Sequence, residues 1–338
     1  LSGIGRSATR VLNDTLKGKC DNITTMTPLT IAIINYPTAS QSAVHGLAEA
    51  ITLADAFCQT YAMPITFIPR VLTLETLDPG EPANVVVLPP CLKDDFYTSD
   101  QPALQDYLAQ MQQQGAVLAS ACVGAFILAR GGFLDHKGCT THWRLAPAFR
   151  AAFPLVHLQE AAIIVNEGDV ITAGGRMAWL DLLFEIVSQF ASPAIALALS
   201  KEMVIDNGFR EQRFYHQFIP KRDHGDELVL SVQRALDQQY VNAPSVRELA
   251  DRHFVSARTL QRRFMKALAM SVVHYLQKLR LHHACQWLEL SDKGVNDIAY
   301  RVGYQDVSAF RKVFMREYGL TPTEFRQRFR PSSGGNEA

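Results

Sequence analysis

The sequence lacks the marks of several protein classes. None of its apolar runs, in 338 residues, approaches the roughly 20 residues that a membrane-crossing helix needs. Its six cysteines (Cys20, Cys58, Cys91, Cys122, Cys139 and Cys285) are scattered and include no CxxC pair. That spacing speaks against a zinc ribbon or a disulfide framework and fits reduced thiols in a cytoplasmic protein. Residues 1–20 mix Arg, Lys, Asp and Asn without the apolar core of a secretory signal. Charged residues make up only 20% against 48% apolar residues, a balance that excludes a mostly disordered chain. No pattern calls for a metal or a cofactor, and none is expected. The length is too great for one ordinary core and suits two domains.

The net charge is zero but unevenly spread. Residues 226–330 hold 17 Lys and Arg against 11 Asp and Glu, and the remainder holds 16 against 22. A basic module joined to an acidic one suits a chain whose basic end meets a polyanion.

The first part alternates strand and helix signals. Leu29–Ile34, Ile65–Ile68, Asn84–Leu88 and Ala116–Ser120 read as short strands, the continuous apolar ones buried on both faces as in a parallel sheet. Ser42–Tyr61, Gln101–Gln114, Val123–Arg130 and Gly175–Phe190 have helical spacing, and Asn166-Glu167-Gly168-Asp169 marks a hairpin between Ile163–Val165 and Val170–Thr172. This predicts an α/β domain with a mainly parallel, flavodoxin-like sheet over residues 27–205. Residues 1–26 read as a disordered extension and 331–338 as a disordered tail. Residues 206–225, with Phe209, Phe214, Tyr215 and Phe218 in no clear period, read as a connector whose aromatics serve packing. From 226 to 330 every apolar run has helical period, which predicts an all-α domain.

One pattern occurs twice in that helical half. Ser245–Ala250 followed by Val255–Phe264 matches Gly294–Ala299 followed by Tyr304–Phe314. Leu260 pairs with Phe310 and Phe264 with Phe314, while Ala250 pairs with Ala299, so the second turn is one residue longer. Each copy is a short helix with a small residue near its end, a tight turn, and a second helix capped by Ser256 or Asp306. With Leu260 and Phe264 turned inward, Arg258, Gln261 and Arg262 face out; with Phe310 and Phe314 inward, Ser308, Arg311 and Lys312 face out. Arg can donate two hydrogen bonds to guanine and Gln can pair with adenine. Thr259, Arg263 and the helix N-terminus at Ser256 are placed for phosphates. Ser271–Leu290 lies between the copies as one long helix.

Residues 226–330 resemble the AraC-type DNA-binding domain. The most specific stretch runs from Ile298-Ala-Tyr-Arg-Val-Gly-Tyr304 through Ser308-Ala-Phe-Arg-Lys-Val-Phe314 to Tyr318-Gly-Leu-Thr-Pro322-Thr-Glu-Phe-Arg326. The resemblance implies two recognition helices in successive major-groove segments. Phe254 departs from it, standing where many members have glycine, so the angle of the first recognition helix is left open.

In the first domain, Ala116–Ser120 followed by Ala121-Cys122-Val123-Gly124 and a helix looks like a nucleophile elbow. Such a turn would lift Cys122 toward solvent at a helix N-terminus, where the dipole favours a thiolate. About residues 27–200 resemble the PfpI branch of the class I glutamine amidotransferase-like superfamily. With the AraC-type helices and Thr140-Thr-His142-Trp143, the whole resembles regulators of the GlxA type. The family's catalytic pattern is broken: Val123 follows the cysteine where PfpI proteases have His, His157 and Glu160 are wrongly spaced for an amidotransferase, and Ala43 stands where many relatives carry an acid. His142 is the one base available to Cys122. The expectation is a non-enzymatic sensor, with Cys122, His142, Gly174 and Gly175 near a pocket for a small effector. A thiol hydrolase or amidase using Cys122 is the alternative. The partners expected are promoter DNA, an effector, a second copy of the chain and RNA polymerase, with no membrane.

Overall fold

The computed structural model describes residues 26–91, 95–206 and 211–330. The expected extension at 1–26, apart from Met26, the tail at 331–338, Cys20 and Phe209 lie outside the described residues. The chain divides into two compact units. Among the described residues no helix is long and apolar enough to cross a membrane, and no cluster of His, Cys, Asp and Glu could hold a metal ion.

The first unit is an α/β layer structure. Its strands are β1 (Thr27–Ile34), β2 (Ile65–Leu72), β3 (Val85–Leu88), β4 (Val117–Ala121), β5 (Ile164–Asn166) and β6 (Val170–Ala173). They form one sheet in the order β2-β1-β3-β4-β6-β5. All pairings are parallel except the β5–β6 hairpin. Every residue of β3 and β4 is buried, which is why these runs are continuously apolar rather than alternating. β2 runs past Pro69 to Leu72, four residues beyond the apolar run Ile65–Ile68. It lies at the sheet edge, the place where a strand tolerates proline.

The longer helices of this unit are α1 (Gln41–Thr60), α2 (Pro102–Gln113), α3 (Gly124–Arg130), α4 (Trp179–Phe190) and α5 (Pro193–Glu202). From β1 the chain passes to β2 on one side and then to β3 on the other. This reversal makes the carboxyl ends of β1 and β3 a topological switch point. Tyr36 follows β1, Cys91 follows β3 and Cys122 follows β4, so all three stand at that end of the sheet.

The second unit is mostly helical, with α6 (Glu227–Gln239), α7 (Val246–Arg252), α8 (Ala257–Leu268), α9 (Val272–Leu290), α10 (Val295–Arg301), α11 (Val307–Tyr318) and α12 (Pro322–Phe329). Its two cores are separate. One joins α6, α7, α8 and the first half of α9 around Leu260, Phe264 and Tyr275. The other joins the second half of α9 to α10, α11 and α12 around Phe310, Phe314 and Phe325. The long α9 therefore belongs to both.

In packing, residues 140–154 and 158–163 group with the helical unit, as do residues 211–225. The cause is Gln212, which is 2% exposed in a short 3-10 turn, Gln212–Tyr215. Its Nε2 donates to Thr140 Oγ1 (2.9 Å), Thr141 O (2.8 Å) and Ala162 O (2.9 Å), while its Oε1 accepts from Trp143 N (2.9 Å). One buried amide thus ties three chain segments together and satisfies polar groups that burial would otherwise strand. Phe214 beside it is buried, as packing aromatics should be.

Candidate nucleic-acid interface

The internal repeat extends further than the paired motifs. Along α8 and α11, the succession of buried, half-buried and exposed positions is identical from Ser256 to Leu268 and from Asp306 to Tyr318. Ser256 and Asp306 cap these helices, accepting from the backbone N–H groups of Thr259 (3.1 Å) and Ser308 (2.7 Å). The helices end alike, at Ala269 (φ 54°) and Gly319 (φ 68°), both left-handed. Ser271 and Thr321 then cap α9 and α12. Phe264 meets Tyr275 edge-on at 5.5 Å and 86°, and Phe314 meets Phe325 at 5.4 Å and 86°. The start of α9 is thus the third helix of the first copy, and the remainder of α9 leads to the second. At 1.5 Å per residue, its 19 residues span about 28 Å.

The turns also match. Val255 N donates to Ala250 O (3.1 Å) and Tyr304 N to Ala299 O (2.9 Å). Phe254 takes φ 54° where Gly303 takes φ 94°. Phenylalanine accepts the left-handed conformation at this turn, and its side chain is 97% exposed. Gly303 has no such freedom, since a Cβ there would lie 2.4 Å from Val241 O.

The outward residues named from the sequence are where the period put them. Ser256, Arg258, Gln261, Arg262, Ser308, Arg311 and Lys312 are exposed, and Thr259 is half-buried with its hydroxyl 2.9 Å from Ser256 Oγ. Arg258, Arg262, Arg311 and Lys312 form no ion pair within the described residues, so their charge is available to an outside anion. Several other cations of the unit are engaged internally. Arg280 donates to Tyr240 O (2.7 Å) and Val241 O (3.1 Å), Lys278 pairs with Glu317, and Arg326 donates to Lys293 O (2.5 Å).

Arg263 belongs with this second group, against the phosphate role expected for it. Its Nε and Nη2 donate to the two oxygens of Asp226 (2.9 and 2.5 Å). Asp226 in turn caps α6 through Val229 N (3.1 Å). The Arg263 guanidinium holds the Asp226 carboxyl below the usual carboxylate range.

In the α/β unit the elbow is present, with Cys122 at φ 57° and its N–H donating to Ala173 O (2.8 Å). That bond brings the cysteine beside Gly174 and Gly175, the latter at φ 101°. The thiol itself is not lifted to solvent. It is 2% exposed, and burial pushes it up to about 12, outweighing the opposite pulls of the Val123 backbone and Arg176. The thiolate expected from the helix dipole is therefore not favoured. Tyr36 is raised too, by burial first and then by Cys91 and Cys122, which places the three groups together at the strand ends.

His142 falls in the other unit. Its Nδ1 accepts from Arg144 N (3.1 Å), its ring leans on Trp143 (centroids 5.5 Å apart), and both line a cleft of about 590 Å³ with His216 and Glu289. Of the sensing residues, the structure gathers Cys122, Gly174 and Gly175. Two positions escaped the sequence reading: Gln212, and Asn296, whose Oδ1 accepts from Arg311 Nη2 (3.1 Å). Neither is signalled locally, because each bond joins residues distant in sequence.

Two matched helix-turn-helix heads on a shared helix, in one chain with an α/β unit that carries a cysteine elbow, define a two-part protein of the helix-turn-helix class. Comparison with known proteins agrees. Residues 249–328 match a helix-turn-helix domain model and residues 72–189 match the DJ-1/PfpI family. The HTH-type transcriptional regulator ArgR of Pseudomonas aeruginosa is 30% identical over 243 residues, covering 71% of this chain and 73% of that protein. GbdR of the same species is 27% identical over 228 residues (65% of this chain), and the alignment spans only 60% of its length. GlxA of Rhizobium meliloti is 26% identical over 239 residues, 68% of this chain and 71% of GlxA. The chain belongs to the family of HTH-type transcriptional regulators that join a DJ-1/PfpI domain to an AraC-type helix-turn-helix domain.

Proposed function

We propose that this chain is a sequence-specific DNA-binding transcription regulator whose α/β unit senses a small metabolite and pairs two copies of the chain. The observation that carries the reading is the duplicated exposure pattern of α8 and α11, each with cations that no internal carboxylate engages. Counterion release from phosphates supplies affinity to such a surface, and side chains reaching base edges supply selectivity. Arg258, Gln261 and Arg262 read one major-groove segment; Ser308, Arg311 and Lys312 read the next. Ser256 and Thr259 approach phosphates at the amino end of α8. The effector site is assigned to the strand ends around Cys122, Gly174 and Gly175. The regulator acts in the cytoplasm, where promoter DNA and RNA polymerase are its partners.

Arg258→Ala and Arg262→Ala test this directly. Each is expected to lower specific affinity by about 1–3 kcal/mol at fixed salt. Unchanged affinity in both would overturn the face assignment.

The alternative is a thiol hydrolase or amidase acting through Cys122, with the helical half used for localisation. Burial of the thiol and its raised proton affinity favour the non-enzymatic reading. Cys122→Ala separates them: loss of a hydrolytic activity with unaltered transcription would support the enzyme.

A further inference from the structure

At one matched pair of positions the two heads exchange residue types. The repeat places Asn296 of α10 where α7 has Arg247, and Arg311 of α11 where α8 has Gln261. All four side chains are exposed. Each head thus carries one guanidinium and one amide at the same two places, with the places exchanged. In the second head the pair is joined, Asn296 Oδ1 accepting from Arg311 Nη2 at 3.1 Å.

We propose that Asn296 is a specificity-determining positioning residue: by holding the Arg311 guanidinium, it commits the second head to guanine, while the first head reads adenine through Gln261. The inference rests on α8 and α11 being recognition helices. A free arginine side chain samples many rotamers, and a planar fork held at one nitrogen loses less entropy on binding. Arg311 takes one lone pair of the amide oxygen, so the groups the pair still offers are mostly N–H donors: the rest of the guanidinium and the amide NH2. Guanine presents two acceptors, O6 and N7, to the major groove, whereas adenine presents an acceptor and a donor. A surface dominated by donors fits the first better than the second, whose N6 donor needs an acceptor. Gln261 stands on α8 with a donor and an acceptor, the complement of adenine. The two heads therefore have different base preferences although their folds repeat.

The test uses the full chain and a library of randomised duplexes, followed by titration against the selected site. Wild type is expected to select guanine in one segment and adenine in the other. Asn296→Ala should reduce the preference for guanine by about threefold to tenfold, leaving the salt slope and the melting curve unchanged. Asn296→Asp keeps an acceptor for Arg311 and should keep the guanine preference at lower affinity. The exchange Arg247→Asn with Gln261→Arg should turn the adenine position toward guanine. If Arg311→Ala loses the guanine preference but Asn296→Ala retains it, the inference is overturned while the DNA-binding reading stands. If wild type selects no sequence at all, both fall.

Discussion

The two helix-turn-helix turns share a left-handed position, Phe254 and Gly303, and differ in what surrounds it, so substitutions there should act in opposite directions. Phe254 holds φ 54° with its ring 97% exposed. An L-residue in that conformation costs roughly 1–2 kcal/mol, and glycine returns about 0.5–1 kcal/mol of that through its freer unfolded chain. The exposed ring loses little burial, so Phe254→Gly should stabilise the first head by about 0.5–1 kcal/mol. Gly303 is different. An alanine Cβ would sit 2.4 Å from Val241 O and 2.9 Å from the Arg280 guanidinium, which itself bonds Tyr240 O and Val241 O. Gly303→Ala combines left-handed strain with damage to those bonds and should cost about 2–4 kcal/mol. Amide hydrogen exchange in the full chain reads the two heads separately. Protection of 246–268 should rise about twofold to fivefold in Phe254→Gly, and protection of 295–318 should fall about thirtyfold or more in Gly303→Ala. Equal loss of protection in both variants would refute the equivalence of the turns.

Arg263→Ala is expected to weaken protection of α6 and α8 while leaving the salt slope of DNA binding unchanged; a slope reduced by about one would restore a phosphate contact. The Asp226 carboxyl, lowered chiefly by its hydrogen bond from Arg263, contributes stability at pH values above the ordinary carboxylate range. That contribution is lost as pH falls through the depressed folded value, and Asp226→Asn should flatten the acid limb of a pH–stability profile. Cys122, pushed up to about 12 by burial, should resist iodoacetamide in the native chain at neutral pH and react once the chain is unfolded. Rapid native alkylation at Cys122, located by peptide mass spectrometry, would contradict its burial.

Local pattern made much of this molecule readable. The buried strands β1, β3 and β4 declare themselves as continuous apolar runs, and the alternation of Leu260 and Phe264 with Arg258, Gln261 and Arg262 fixes which side of α8 faces out. What stayed hidden depends on residues far apart in sequence. Arg262 and Arg263 are neighbours of one type, and only Asp226, 37 residues earlier, separates an exposed cation from a structural one. The elbow at Cys122 is legible, but its covering comes from strand ends that no local motif reports. The grouping of residues 140–154 with the helical unit turns on the buried amide of Gln212. The matched ring pairs Phe264–Tyr275 and Phe314–Phe325 place the start of α9 in the first copy, which its uninterrupted helical period conceals.

Competition binding tests the central claim most directly. The full chain, with its folded state confirmed by circular dichroism, is titrated with a fragment recovered from selection against excess random duplex at moderate ionic strength. The account predicts specific binding that survives the competitor and weakens steeply with salt. Equal affinity for the fragment and the random duplex, in a folded chain, would contradict it.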